Sequence, residues 1–197
     1  NQALSTLEKY RSVFQQSLTN LSALEFEDLV TLSDVTTVLQ RSQMVNRIAK
    51  EIERYVVQLG SEGRLVKMQL EELLADIKDQ GLLVFKDYYV GENLAEAWSQ
   101  MEEWDSDDFL NVGMLSKALG YSSISSLEQP AAARGYRILA KIPRLPMPVI
   151  ENLVDAFGSL SAIMDATIEE LDDVEGIGEV RAKAIRDGLR RLREQVL

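Results

Sequence analysis

The stretch Val174-Glu175-Gly176-Ile177-Gly178-Glu179-Val180-Arg181-Ala182 has the residue types to hold an anion with backbone groups alone. Two glycines one residue apart allow a tight turn with no Cβ in the way. The turn leads into a basic helix expected over about 179–193. A helix N-terminus carries unpaired N–H donors and the positive end of the dipole, so a phosphate approaching Gly176, Ile177 and Gly178 meets backbone donors. Ile177 is placed to anchor the loop in a core, and Ala182 is small enough for two helices to cross closely. Arg181 follows directly and can reach a neighbouring phosphate, with Lys183 and Arg186 in support. Helical position leaves Lys183 open between phosphate and solvent. Contacts of this kind position a nucleic-acid backbone and read no bases. Other glycine chemistries fail on spacing. A dinucleotide fingerprint needs a third glycine where Arg181 stands and a strand before it. A Walker A loop needs Gly-Lys-Ser/Thr, which is absent.

The same arrangement recurs 32 residues earlier. Ile142 aligns with Val174, Leu145 with Ile177, Ile150 with Ala182, Leu153 with Ile185, Asp155 with Asp187 and Phe157 with Leu189. Arg144 and Pro146 stand where Gly176 and Gly178 stand. Lys141 to Pro148 therefore reads as a degenerate first hairpin, with Pro148 expected at helix position N1. Pro146 and Pro148 remove two N–H donors, so phosphate capture here is expected to be weaker, helped by point charges from Arg144, Arg137 and Arg134. The spacing leaves open whether this hairpin touches DNA. An acidic helix expected at about 167–173 precedes the second hairpin. The pair resembles a tandem helix-hairpin-helix DNA-binding domain, which grips both strands of a duplex across the minor groove.

Elsewhere the chemistry is restricted. The 197 residues contain no histidine and no cysteine, which excludes Ser-His-Asp and Cys-His catalysis, Cys or His metal sites and disulfides. The acidic run Glu102, Glu103, Asp105, Asp107, Asp108 fails as a calcium loop, because Leu110 and Ser116 fall at the glycine and closing glutamate positions. It reads as a helix-start set on a solvated surface. Trp98 and Trp104 read as core. The net charge of −11 argues against nucleic acid until it is divided. Residues 1–130 hold 11 basic and 21 acidic side chains, residues 131–197 hold 10 and 11, and residues 181–197 hold six and two. The negative charge lies almost wholly in the first part.

The elements that must carry the hairpins are helices. A first is expected over 1–24, with a capping box at Ser5 and Glu8 and an apolar seam at Leu4, Leu7, Phe14, Leu18 and Leu21 broken by Arg11. A second is expected from Ser33-Asp34 to Leu59, with Val38, Val45, Ile48, Ile52, Tyr55 and Leu59 on one face, ended by Gly60–Gly63. A third is expected over 65–77 and stopped by Gly81. Periodicity leaves Leu82–Phe85 open between strand and helix. Shorter helices are expected at 93–103 and 107–119, with Gly120 just past the end. Ser122–Ser126, leading to Pro130, reads as a boundary. The fold class is thus all-α: a helical spine or linker domain over 1–126, then a tandem helix-hairpin-helix domain over 127–197. No window approaches a membrane span or a signal peptide. The chain opens at Asn1 inside a helical pattern and reads as a piece of a longer protein.

The blocks Leu24-Glu25-Phe26-Glu27-Asp28-Leu29-Val30, Val38-Leu39-Gln40-Arg41, Met44 to Ala49 and Glu51 to Gly60, followed by the tandem hairpins, resemble the DisA family of bacterial DNA integrity scanning proteins downstream of their nucleotide cyclase domain. The resemblance covers essentially the whole chain and is most specific from Leu24 to Gly60. It implies a parent with three parts. A diadenylate cyclase condenses two ATP into cyclic di-AMP with a divalent metal, Mg or Mn. A spine follows, then hairpins that bind branched DNA such as Holliday junctions in preference to linear duplex. It also implies an octamer, suppression of the cyclase by bound branched DNA, and a cytoplasmic, nucleoid-associated protein. The Asp-Gly-Ala and Arg-His-Arg signatures of that cyclase are missing, so this chain is expected to have no cofactor and no cyclase activity of its own. A different class stays in view: an interaction scaffold whose hairpins dock protein and whose acidic spine oligomerises.

Overall fold

The computed structural model describes residues 2–122 and 126–196. Three long helices open the chain: α1 (Gln2–Phe26), α2 (Leu32–Val57) and α3 (Arg64–Tyr88). The central α2 packs against α1 on one side and α3 on the other. A heptad seam of Leu7, Phe14 and Leu21 is buried on α1. Ser5 and Glu8 form no capping box. Both lie inside α1, and Glu8 pairs with Arg11 at 3.8 Å. A capping box opens α2 instead, where Asp34 accepts from Thr31 N–H at 2.8 Å and donates its own N–H to Thr31 Oγ1 at 3.4 Å.

The expected α2 face is buried as far as Ile52 and then drifts. Its far end buries Val45, Ala49, Ile52 and Val56, so Tyr55 and Leu59 lie beside that stripe, 71% and 60% exposed. Gly81 does not stop α3, and Leu82–Phe85 are helical. A Cβ on Gly81 would sit 3.0 Å from Ser42 Oγ. The residue is there for close approach of α2, and that packing outweighs a helix-propensity cost of about 1 kcal/mol.

The connecting region holds α4 (Leu94–Glu102), α5 (Ser106–Leu110) and α6 (Val112–Ala118). The single helix expected over 107–119 is divided at Asn111, which ends α5 and whose side chain caps α6. Asp105 and Asp108 form a capping box on α5, so the acidic run does serve a helix start. Gly120, at φ +95°, follows α6 as expected. Within the stretch expected as a boundary, residues 123–125 lie outside the described residues. Beyond it the chain is stitched back to the start of α2: Leu32 N–H donates to Gln129 O at 3.0 Å, and Ala131 N–H to Val30 O at 2.9 Å. Among the described residues this isolated Thr31–Pro130 bridge is the only β-pairing.

Five helices complete the fold: α7 (Tyr136–Leu139), α8 (Met147–Phe157), α9 (Leu160–Asp165), α10 (Ile168–Asp172) and α11 (Glu179–Val196). They pack on the spine through α7 against α3 and α11 against α1. A buried ionic cluster sits at this junction. Asp87 accepts the N–H groups of Gly135, Tyr136 and Arg137 at 3.0, 2.7 and 3.3 Å. Arg137 pairs with Glu25 and donates to Ser22 Oγ at 2.9 Å. Tyr88 donates to the other Glu25 oxygen at 2.6 Å. Burial, then the Glu25 carboxylate, pushes the Asp87 carboxyl up to about 7, against the pull of Arg137 and the N–H donors. Burial also raises the Tyr88 hydroxyl well above its ordinary range.

Candidate nucleic-acid interface

The 32-residue repeat is present in backbone geometry. Tyr136 opens α7 and Ile168 opens α10; Met147 opens α8 and Glu179 opens α11. Arg144 at φ +62° and Gly176 at φ +86° occupy equivalent places in the two hairpins. The left-handed region favours glycine, so the second hairpin meets this turn with the preferred residue and the first meets it under strain.

The second hairpin is built outward from Ile177, which is 4% exposed and donates its N–H to Val174 O at 3.0 Å. Gly176 lies over Val149 of α8, where a Cβ would come within 3.3 Å of a methyl. Asn152 of α8 donates to Glu175 O at 3.1 Å and braces the loop from outside. No spacing rule pointed to Val149 or Asn152, because both belong to the other repeat. The first bond of α11 runs from Ala182 N–H to Gly178 O at 2.9 Å, which makes Gly178 the N-cap. The N–H groups of Gly178, Glu179, Val180 and Arg181 donate to no acceptor among the described residues. Gly178 is exposed, and a Cβ there would meet nothing within 4 Å. Open donors at an open helix end are what an anion requires.

The basic side chains divide by partner. Arg181 folds back to donate to Gly176 O at 2.7 Å. Lys183 pairs with Glu179 at 3.2 Å on the exposed face. Arg186 is exposed and makes no ion pair among the described residues. Further along, Arg190 pairs with Asp187, and Arg193 reaches Glu27 at the end of α1.

The first hairpin is poorer. Val149 and Ile150 N–H groups both donate to Pro146 O, and Pro146 and Pro148 have none to offer. Pro148 sits at N2 of α8, not N1, because Met147 is the first helical residue. Leu145 is only half-buried, whereas Ile177 is fully buried. Arg144 is exposed and without an ion-pair partner among the described residues. Arg137 is not available as a surface charge. It is 1% exposed and held by Glu25. Arg134 donates to Tyr89 O at 2.9 Å and belongs to the spine junction. Equivalent positions Pro148 and Val180 both present apolar side chains to solvent, Val180 at 85% exposure.

A family described as the DisA bacterial checkpoint controller linker region matches residues 1–128, more than half the chain. This chain belongs to the DisA family. A helix-hairpin-helix motif matches residues 159–188, which span α9, α10, the second hairpin and the first half of α11. The chain is similar to the DNA integrity scanning protein DisA of Carboxydothermus hydrogenoformans, 58% identical over 99% of this chain and 56% of the relative. It is 53% identical to the DisA protein of Symbiobacterium thermophilum, over 99% of this chain and 56% of that relative. The Clostridium botulinum strain Langeland protein is 50% identical over 100% of this chain and 56% of its own length. The chain spans about half the length of these curated relatives. A helix-hairpin-helix motif on an all-α DisA-family spine is therefore what sequence relationship and geometry agree on.

Proposed function

We propose that this chain is the DNA-binding portion of a DisA-type protein and that it holds branched DNA by its backbone phosphates. The observation that carries the reading is the second hairpin, with four open N–H donors around Gly178 beside Arg181 and Arg186. Its geometric repeat at Arg144 supplies a second, weaker grip, so that two hairpins engage the two strands. In the whole protein, junction binding is relayed to a diadenylate cyclase that turns ATP into cyclic di-AMP. ATP and the divalent metal belong to that part, and this chain uses no cofactor. The buried Glu25–Arg137–Asp87 cluster supports a relay, because it ties the helix leading into the first hairpin to both α1 and α3. Apolar side chains exposed at the α2–α3 tip (Tyr55, Leu59, Leu65) support self-association, an octamer in the whole protein. Among the described residues no helix is long and apolar enough to cross a membrane. Binding to chromosomal DNA would hold the protein at the nucleoid, in the cytoplasm.

The test is a mobility-shift titration of a four-way junction and a linear duplex of equal length. Tighter junction binding is expected, with log affinity falling by about 0.9 per phosphate contact per decade of salt. No junction binding at ~50 mM salt would sink the proposal.

A further inference from the structure

A cleft of about 320 Å³ opens between α2, α3 and the α4–α5 corner, far in the chain from either hairpin. The only two tryptophans of the chain, Trp98 and Trp104, line it. Each is half-buried and backed by another ring: Trp98 leans on Phe85 at 5.4 Å, and Trp104 meets Phe109 edge-on at 5.2 Å. Gly81 lets α2 and α3 approach at its base. From α2, Gln43, Asn46 and Lys50 line one wall, three and four residues apart and so on one helix face. None of the three side chains makes a hydrogen bond or ion pair among the described residues. At the mouth Lys78 pairs with Glu102 at 3.0 Å. Two lysines and one glutamate make this lining cationic, inside a segment that carries 21 acidic and 11 basic residues. A core role explains why the tryptophans pack on Phe85 and Phe109. On the facing wall Gln43 and Asn46 are half-buried and Lys50 is exposed, so their polar ends are open to whatever enters the cleft.

We propose that this cleft binds a purine nucleoside monophosphate or a ligand of that class. The planar base lies against the indole rings, which favour offset contact with a flat π-system. The carboxamides of Gln43 and Asn46 each offer a donor and an acceptor, matching the mixed edge of a purine. Lys50 takes the phosphate as a point charge. The volume lies at the small end of the ligand-pocket range, which suits one nucleotide and not an oligonucleotide. The inference goes beyond DNA binding by the hairpins and does not depend on it.

Because both tryptophans line the cleft, intrinsic fluorescence reads it selectively. Excitation at the red edge of the indole band, where purines do not absorb, follows titration with adenosine 5′-monophosphate, guanosine 5′-monophosphate, adenosine and inorganic phosphate. Saturable quenching is expected for the two nucleotides, with Kd between ~10 μM and ~1 mM. Adenosine and inorganic phosphate should each bind at least about tenfold more weakly. Lys50→Ala should weaken the nucleotides about tenfold and Lys50→Arg should retain them, while both variants bind a DNA junction as wild type does. Asn46→Asp, which removes an amide donor to the base and sets a negative charge in the wall, should weaken adenosine and weaken the two nucleotides further. No saturable response to either nucleotide up to ~10 mM, by fluorescence and by calorimetry, overturns the proposal. So does a response that Lys50→Ala and Asn46→Asp both leave unchanged.

Discussion

Gly178→Asp separates folding from function at the second hairpin. A side chain at residue 178 has open space, and the backbone there lies outside the left-handed region. The residue is the N-cap of an 18-residue helix. Aspartate is a better cap than glycine by a few tenths of a kcal/mol, and its charge adds about 0.3–1 kcal/mol against the helix dipole. Stability should therefore rise by about 0.5–1 kcal/mol, or about 1–4 °C in Tm for a chain of this size. DNA binding should move the other way. The new carboxylate takes up N–H donors that would otherwise face a phosphate, and like charges at a contact separation of about 4 Å repel. At an effective dielectric of about 20 the repulsion is about 4 kcal/mol, and solvent access brings it to ~2–4 kcal/mol. That corresponds to about 30- to 1,000-fold weaker binding. Thermal melts and fluorescence-anisotropy titration of a labelled four-way junction measure the two effects. A variant with raised Tm that binds within about threefold of wild type would refute phosphate capture at Gly178. A lowered Tm would refute the N-cap assignment.

Three other perturbations test neighbouring parts of the argument. Arg144→Gly relieves a left-handed non-glycine residue and should stabilise the fold by about 1 kcal/mol, while junction binding weakens and its salt slope shallows by about one contact; urea unfolding and salt titrations report the two. Arg137→Met strands the buried Glu25 carboxylate and should cost about 3–5 kcal/mol in urea unfolding, part of it recovered in the double variant Glu25→Leu/Arg137→Met, which removes the unpaired charge but leaves the Tyr88 hydroxyl without its acceptor. Asp87 keeps its proton in the folded chain up to about pH 7, whereas the unfolded chain loses it near 4, so its contribution to stability falls as pH rises through that window and levels off above it. Between about pH 5 and pH 8 the wild type should lose about 2–3 kcal/mol relative to Asp87→Asn in parallel urea titrations; equal pH dependence in the two proteins would contradict the raised value.

The hairpin chemistry was legible because it is local. Gly176, Ile177 and Gly178 state a turn, an anchor and a helix start within three residues, and the 32-residue repeat exposes the second copy even where Arg144 and Pro146 replace the glycines. The long helices were legible from their period: α1 and α2 to within a few residues at both ends, α3 at its start only, since it runs on to Tyr88. Local signals misled where a distant element set the outcome. Gly81 reads as a stop in sequence, yet it is the point where α3 meets Ser42 of α2, and only the packed pair reveals that. Ser5 and Glu8 have the spacing of a cap but lie inside a helix, since spacing alone does not place a helix start. Arg137 and Arg134 look like charges free for DNA; the fold turns one into a buried ion pair and the other into a clasp on Tyr89. The bracing of the second hairpin by Val149 and Asn152, and the cleft between Trp98, Trp104 and the α2 wall, join residues from about 20 to 60 positions apart. By itself the sequence determined an all-α chain, the two hairpins and the division of charge, because those follow from short-range backbone chemistry and composition. The tertiary structure decided which arginines remain at the surface and which polar side chains are left without partners, because burial and pairing depend on what other helices bring alongside.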